Sequence, residues 1–97
     1  MAISVYVVAK TNPDQSEAFH EFLKELLPET RTKEGCQHVE LTQNQDDPTH
    51  FVVFEKWDSR EHHERYVRDL MKSGTRDRVY HMLASELAVY YCDVVEA

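Results

Sequence analysis

Four consecutive apolar residues, Phe51-Val52-Val53-Phe54, lie in the middle of the segment His50–Trp57 and constrain everything around them. β-Branched and aromatic residues at this density form a strand. Successive side chains of a strand point to opposite faces. Phe51 and Val53 therefore share one face with Glu55 and Trp57, while Val52 and Phe54 lie on the other. A strand that is apolar on both sides must be covered on both sides. The chain has only 97 residues, which make one domain over 1–97. A domain of this size buries only about 60–68% of the surface that its unfolded form exposes, so it is marginal alone.

The remaining segments supply the other elements. Residues 2–9, rich in Val, Ile and Tyr, predict a first strand, and Thr11-Asn12-Pro13-Asp14 break it. Asp14 and Glu17 have the spacing of a capping box. Phe19, Phe22, Leu23, Leu26 and Leu27 then recur at helical spacing and predict a first helix that fades by Lys33, loosened by Pro28. Cys36 to Gln45 predicts a second strand, with Val39 and Leu41 on one face and His38, Glu40 and Thr42 on the other. Asn44 to Pro48 is a turn into the third strand. Asp58, with Glu61 three residues later, is expected to cap a second helix with the stripe His63, Tyr66, Val67, Leu70 and Met71. Gly74 ends it. Val79, Met82 and Leu83 suggest a short third helix, and Leu87 to Val95 the last strand.

The order β-α-β-β-α-α-β is that of the ferredoxin-like split βαβ fold, of the α+β class. It places helices on one face of a single antiparallel sheet. No helix remains for the face that carries Val52 and Phe54. The simplest cover is a second copy of the chain, sheet against sheet, in a homodimer about twice the 11.4 kDa of one chain.

Charge narrows the partners. Asp and Glu number 18 against 11 Lys and Arg, for a formal net charge of −7. Neither a nucleic-acid backbone nor an anionic membrane suits such a surface. The N-terminal apolar run is too short and wrongly flanked for a signal peptide, and no stretch nears the ~20 apolar residues of a membrane span. The expected location is cytoplasmic. Cys36 and Cys92 are too few and too distant for a disulfide framework or a zinc site, and are expected to be small buried hydrophobes kept reduced. Glu61-His62-His63-Glu64 looks metal-like, but neighbours on a helix diverge by about 100° and cannot converge on one ion. No metal and no cofactor motif is visible.

Three segments carry a family resemblance: Thr32-Lys33-Glu34-Gly35-Cys36, Asp46-Asp47-Pro48-Thr49-His50-Phe51, and Phe54-Glu55-Lys56-Trp57-Asp58-Ser59-Arg60-Glu61. In order and spacing they resemble the antibiotic biosynthesis monooxygenase domain. The resemblance implies a dimeric α+β barrel. That family includes cofactor-independent oxygenases of quinols and anthrones, haem-degrading enzymes and a sugar-phosphate isomerase, so it does not fix the reaction. The departures are informative. Oxygenases of the anthrone type carry Asn where this chain has Val53, and Tyr where it has His63. Many quinol-oxidising members carry His where it has Tyr66. The Asn and axial His of the haem-degrading members have no match.

Cofactor-free oxygenation needs a base and a dry aromatic pocket, because the deprotonated substrate itself must supply the electron to O2. His63, on the apolar stripe of the second helix, titrates near neutral pH and is the candidate base. Trp57 can donate its indole N–H to a substrate oxygen, and Tyr66, one turn after His63, can hydrogen-bond a ligand carbonyl. Phe19, Phe22, Leu23, Phe51, Val53 and Glu55 are the candidate walls, with Glu55 a possible base or carboxylate partner of His63. The function expected is a homodimeric monooxygenase of a small aromatic quinol or anthrone, using O2. Two alternatives stand beside it: a proton-moving isomerase on the same scaffold, and a non-catalytic dimer that binds a small ligand.

Overall fold

The computed structural model describes residues 2–97. Its strands are β1 (Ile3–Lys10), β2 (Cys36–Gln43), β3 (His50–Trp57) and β4 (Ala88–Cys92), and its helices α1 (Ser16–Thr30), α2 (Arg60–Lys72) and α3 (Thr75–Tyr80). The sheet order is β2-β3-β1-β4, antiparallel throughout. This is the ferredoxin-like arrangement expected from the element order.

The most apolar strand, β3, is central, paired on both edges. Its side chains alternate as the pattern predicts. Phe51, Val53, Glu55 and Trp57 are buried on the helix side, and Val52, Phe54 and Lys56 are half-buried on the other. Register carries this division across the sheet. Val39, Glu55, Val5 and Tyr91 form one row on the helix side, and Glu40, Phe54, Tyr6 and Tyr90 form a row on the open side. The main core lies between the sheet and α1, where Ala9, Phe51 and Val53 meet Phe19, Leu23 and Leu27. A second, smaller core joins Val5 and Trp57 to Tyr66 of α2. The open side remains apolar at its centre. Tyr6 packs on Phe54 at 5.2 Å yet is 38% exposed, and Tyr90 is 55% exposed.

Several ends differ from expectation, each for a local reason. Pro13 starts a short 3-10 turn, Pro13–Gln15, closed by Gln15 N–H donating to the Asn12 carbonyl at 2.9 Å. Asp14 therefore sits inside that turn and caps nothing. The cap of α2 is Ser59, not Asp58. Ser59 is extended, and its Oγ accepts from His62 N–H at 3.2 Å, while Asp58 accepts from Gln37 Nε2 at 2.6 Å. β2 stops at Gln43 because Asn44 Oδ1 turns back to accept from Asp46 and Asp47 N–H. β4 stops at Cys92, which pairs with Ser4, because β1 begins at Ile3 and offers Val94 and Val95 no partner. α3 ends at Tyr80, before Met82 and Leu83, and Leu83 instead bridges to Thr11. Met71 is 51% exposed rather than part of the stripe, and its sulfur accepts from Arg76. Cys36 is half-buried as a free thiol, but Cys92 alternates onto the open side of an edge strand and is exposed.

Two glycines shape the connections. Gly35 has φ +89°, its carbonyl accepts from Asp58 N–H at 2.7 Å, and an added Cβ would lie 2.5 Å from the His62 ring. Gly74, between α2 and α3, has φ +79° but open space around it. An Ala at either position costs about 1–2 kcal/mol for the left-handed backbone. At Gly35 the clash adds about 1–3 kcal/mol more. Urea unfolding of Gly35→Ala and Gly74→Ala should therefore show the larger loss at Gly35. Equal losses would mean that the approach of His62 contributes nothing.

Candidate functional site

Alternation on β3 determines what faces the helices near its C-terminal end: Val53, then Glu55, then Trp57. Glu55 lies between Val39 and Val5 in register, so its neighbours across the sheet are apolar. It is only 5% exposed. The Ser59 cap sets the rotation of α2. It turns His62 outward onto Ser59 and Gly35, and turns His63 and Tyr66, three apart, toward the sheet. His63 is 2% exposed and Trp57 is fully buried.

These side chains form one connected cluster. Trp57 Nε1–H donates to Glu55 Oε1 at 2.8 Å, and the same oxygen lies 3.7 Å from His63 Nε2. His63 Nδ1 is bonded to the Tyr91 hydroxyl at 2.8 Å. The imidazole meets the rings of Trp57 and Tyr91 edge-on, at 5.3 and 5.4 Å. The guanidinium of Arg60 lies 4.2 Å over the Tyr91 ring. A hydroxyl both donates and accepts, so Tyr91 can serve either tautomer of His63. One tautomer presents a proton to Glu55 and the other a lone pair.

Burial sets the charge states. It pushes the Glu55 carboxyl up from 4.5 to about 7, against the opposing effect of the Trp57 N–H bond. It pulls His63 down from 6.5 to about 4. Both shifts favour the neutral forms, so the contact between them is not an ion pair in mildly acidic solution. Burial likewise pushes the Tyr66 hydroxyl up to about 12.

The cluster opens on a cavity of about 220 Å3. Its floor is Val7, Ala9 and Val53 of the sheet, and one wall is Phe19, Leu23 and Leu27 of α1. Glu55, His63 and Tyr66 lie at one part of it, Val67 and Leu70 continue along α2, Thr75, Arg76 and Tyr80 come from α3, and Val89 and Leu87 from the last strand and the residue before it. The space is walled by carbon with a few convergent polar groups, as small-molecule sites are.

Of the residues anticipated as site residues, Phe19, Leu23, Val53, Glu55, His63 and Tyr66 line this space. Three others lie elsewhere. Trp57 lies behind Glu55, and its N–H is taken by that carboxyl rather than free for a substrate oxygen. Phe22 is about 100° around the helix from Leu23, where it lies 5.0 Å under the Arg78 guanidinium. Phe51 is near the far end of β3, packed edge-on against Phe19 at 5.1 Å. The Tyr66 hydroxyl is also taken. Thr30 Oγ1 donates to the Leu26 carbonyl, so its bond with Tyr66 must be donated by the tyrosine. Tyr66 thus offers the cavity a ring, not a hydroxyl. Tyr91 and Thr30 escaped the sequence reading. Continuing the stripe Leu23, Leu27 by three residues, beyond Pro28, finds Thr30, and alternation from Tyr90 finds Tyr91.

The opposed shifts make a prediction. Glu55 keeps in the fold a proton that the unfolded chain has lost, so its contribution to stability falls as pH rises from about 4.5 to about 7. His63 refuses in the fold a proton that the unfolded chain takes, so its contribution falls as pH drops from 6.5 to about 4. Each amounts to about 3 kcal/mol, and over their shared window the slopes cancel. Glu55→Gln should therefore make stability rise with pH across that window, and His63→Gln should make it fall. Urea unfolding at stepped pH measures both, and parallel slopes in the two variants would refute the assignment.

Known proteins share this architecture. A family model described as antibiotic biosynthesis monooxygenase matches residues 2–69. No curated protein matches the chain. Among solved structures, a Mycobacterium tuberculosis protein superposes with a TM-score of 0.87 at 22% identity, covering 100% of this chain and 98% of its own. A Nitrosomonas europaea protein, provisionally named an antibiotic biosynthesis monooxygenase, has a TM-score of 0.87 at 22% identity over 97% of this chain and 90% of its own. A conserved Methanosarcina mazei protein has a TM-score of 0.86 at 20% identity, over 96% and 92%. At such identities the likeness is one of fold.

Proposed function

The chain belongs to the antibiotic biosynthesis monooxygenase family, and from that premise we propose that it is a homodimeric oxygenase of a small aromatic quinol, using O2 without a prosthetic group. Membership supports a monooxygenase-like role in general terms. The observation that carries the finer reading is the Glu55 carboxyl, raised to about 7, at the edge of a cavity walled by carbon. A base is most effective when its pKa lies near the working pH. Glu55 meets that condition better than His63, whose conjugate acid lies at about 4. The base is thus assigned to Glu55, in place of the His63 role suggested by sequence. His63 Nε2 faces the same carboxyl oxygen at 3.7 Å and remains neutral.

The chemistry balances without a further reductant. Glu55 takes a phenolic proton, and the quinolate passes one electron to O2. The resulting semiquinone and superoxide combine, forming a carbon–oxygen bond, and Glu55 returns its proton to the peroxide anion. The hydroperoxide then loses water as its O–O bond breaks, leaving a hydroxyquinone. One oxygen atom enters the product and the other leaves as water. The cavity, about 220 Å3, is smaller than the about 300–1,000 Å3 of drug-sized pockets. That favours one or two fused rings over the three of an anthrone.

Oxygen uptake with naphthohydroquinone tests this reading. The wild-type rate, corrected for autoxidation, should rise with pH through about 7. Glu55→Gln should lower kcat by about a hundred- to ten-thousandfold. No uptake above blank across a panel of one- and two-ring quinols would refute it. A protonated carboxyl beside an unprotonated imidazole is also equipped to move a proton within a substrate, which is the isomerase reading. Turnover under argon separates the two.

The dimer is part of the proposal. Its support is the open sheet face, where Tyr6, Phe54 and Tyr90 form an apolar row. Light scattering should give about twice the 11.4 kDa of one chain, and Phe54→Glu should halve it. A monomeric wild-type protein would overturn this part.

A further inference from the structure

The cavity has two polar ends. Glu55 and His63 occupy one. The other is formed by Arg76 and Tyr80 of α3, and because Arg76 is exposed this part of the lining meets solvent. Between them the lining is carbon: Val67 and Leu70 along α2, and Leu23 and Val53 opposite. From His63 to Leu70 is seven residues of helix, or about 10 Å, and Arg76 lies beyond. A one- or two-ring aromatic molecule bridges such a distance.

Among the described residues, Arg76 is the only Lys or Arg that lines this cavity. Lys10, Lys24, Arg60 and Arg65 each have a carboxylate partner, and Arg31 donates to the Val39 carbonyl. Among the described residues, no carboxylate lies within ion-pair distance of Arg76. Its Nε and Nη2 donate to the Tyr80 hydroxyl at 3.3 and 2.9 Å, and its Nη1 donates to Met71 Sδ at 3.3 Å. A guanidinium has five N–H donors, so two remain. Tyr80 holds the group in place, with the guanidinium carbon 5.1 Å from its ring centre. The chain as a whole carries a net charge of −7 and repels anions. A pre-positioned cation at the mouth of an apolar cavity counters that repulsion at one point.

We propose that Arg76, steered by Tyr80, makes the site selective for aromatic substrates that carry an anionic group, a carboxylate for choice, at the end remote from Glu55. This rests on the reading of the cavity as the substrate site. It adds a substrate class to that reading, an aromatic acid rather than a neutral quinol. A carboxylate suits the remaining donors because the guanidinium fork matches its two oxygens.

Calorimetric titration with naphthoate and with its methyl ester tests the proposal. Both are redox-inert, so binding is read apart from oxygenation. The wild-type protein should bind the acid about tenfold more tightly than the ester, the gain of one charge-assisted contact. In Arg76→Gln the preference should vanish while the ester binds as before, and Arg76→Lys should retain part of it. Higher salt should shrink the wild-type preference. Arg76 is exposed, so its variants should fold, and unchanged thermal midpoints check that. Equal affinities in the wild type, or a preference that survives in Arg76→Gln, would overturn the proposal. Failure of both ligands to bind would overturn it together with the aromatic cavity. A clear preference for the acid, with no quinol consuming O2, would leave Arg76 in its role and remove the oxygenase reading alone.

Discussion

A carboxyl group is held under a helix, out of water, by an indole N–H, and much of the molecule is arranged to make that tolerable. Burying a carboxyl is costly unless it is hydrogen-bonded or neutral. Glu55 is both: Trp57 donates to it, and burial favours its protonated form. The same oxygen faces His63, which in turn is bonded to Tyr91. One short chain of contacts therefore ties β3 to α2 and α2 to β4. β4 is otherwise an edge strand with exposed residues at three of its five positions. The polar contact at its inner face gives it a specific attachment that apolar packing alone supplies weakly.

The helix above the carboxyl has one correct rotation. Ser59 sets it by accepting from His62 N–H, and Gly35 leaves the space that the outward His62 ring occupies. A shift of one residue would bring His62 inward and turn His63 to solvent. The sequence has two adjacent histidines with opposite environments, and a serine and a glycine decide between them. Tyr66, one turn on, is fixed by a bond to Thr30 of α1, which ties the two helices together above the sheet.

Much of this was legible in the chain itself. The alternation of His50–Trp57 assigned both faces of the central strand, because a period of two allows no intermediate answer. The stripe Phe19, Leu23, Leu27 located the inner face of α1, and His63 with Tyr66 located that of α2. What was not legible depends on partners distant in sequence. Alternation put Trp57 and Glu55 on one face but did not show that the indole N–H is taken by that carboxyl, and that Tyr91 reaches His63 needs the pairing of β4 with β1. Charge state was the least legible. An exposed His and Glu at these positions would titrate in the usual order, with His63 the natural base. Burial opposes that order, and burial is a property of the fold.

The two faces of the sheet are not independent. Register places Glu55 between Val39 and Val5 on one side, and an adjacent residue of each strand, Glu40, Phe54 and Tyr6, on the other. A slip of one residue in β3 would move the carboxyl to the open face and bring Phe54 under the helices. The apolar row on the open side and the polar cluster on the helix side therefore specify the same register from opposite directions. A second copy covering the open row would stabilise that register further, since it would penalise any slip that exposed Glu55 to the interface. On this argument pairing of chains, if prevented by a charge at Phe54, would weaken the site through the strand rather than through any residue that crosses between the faces.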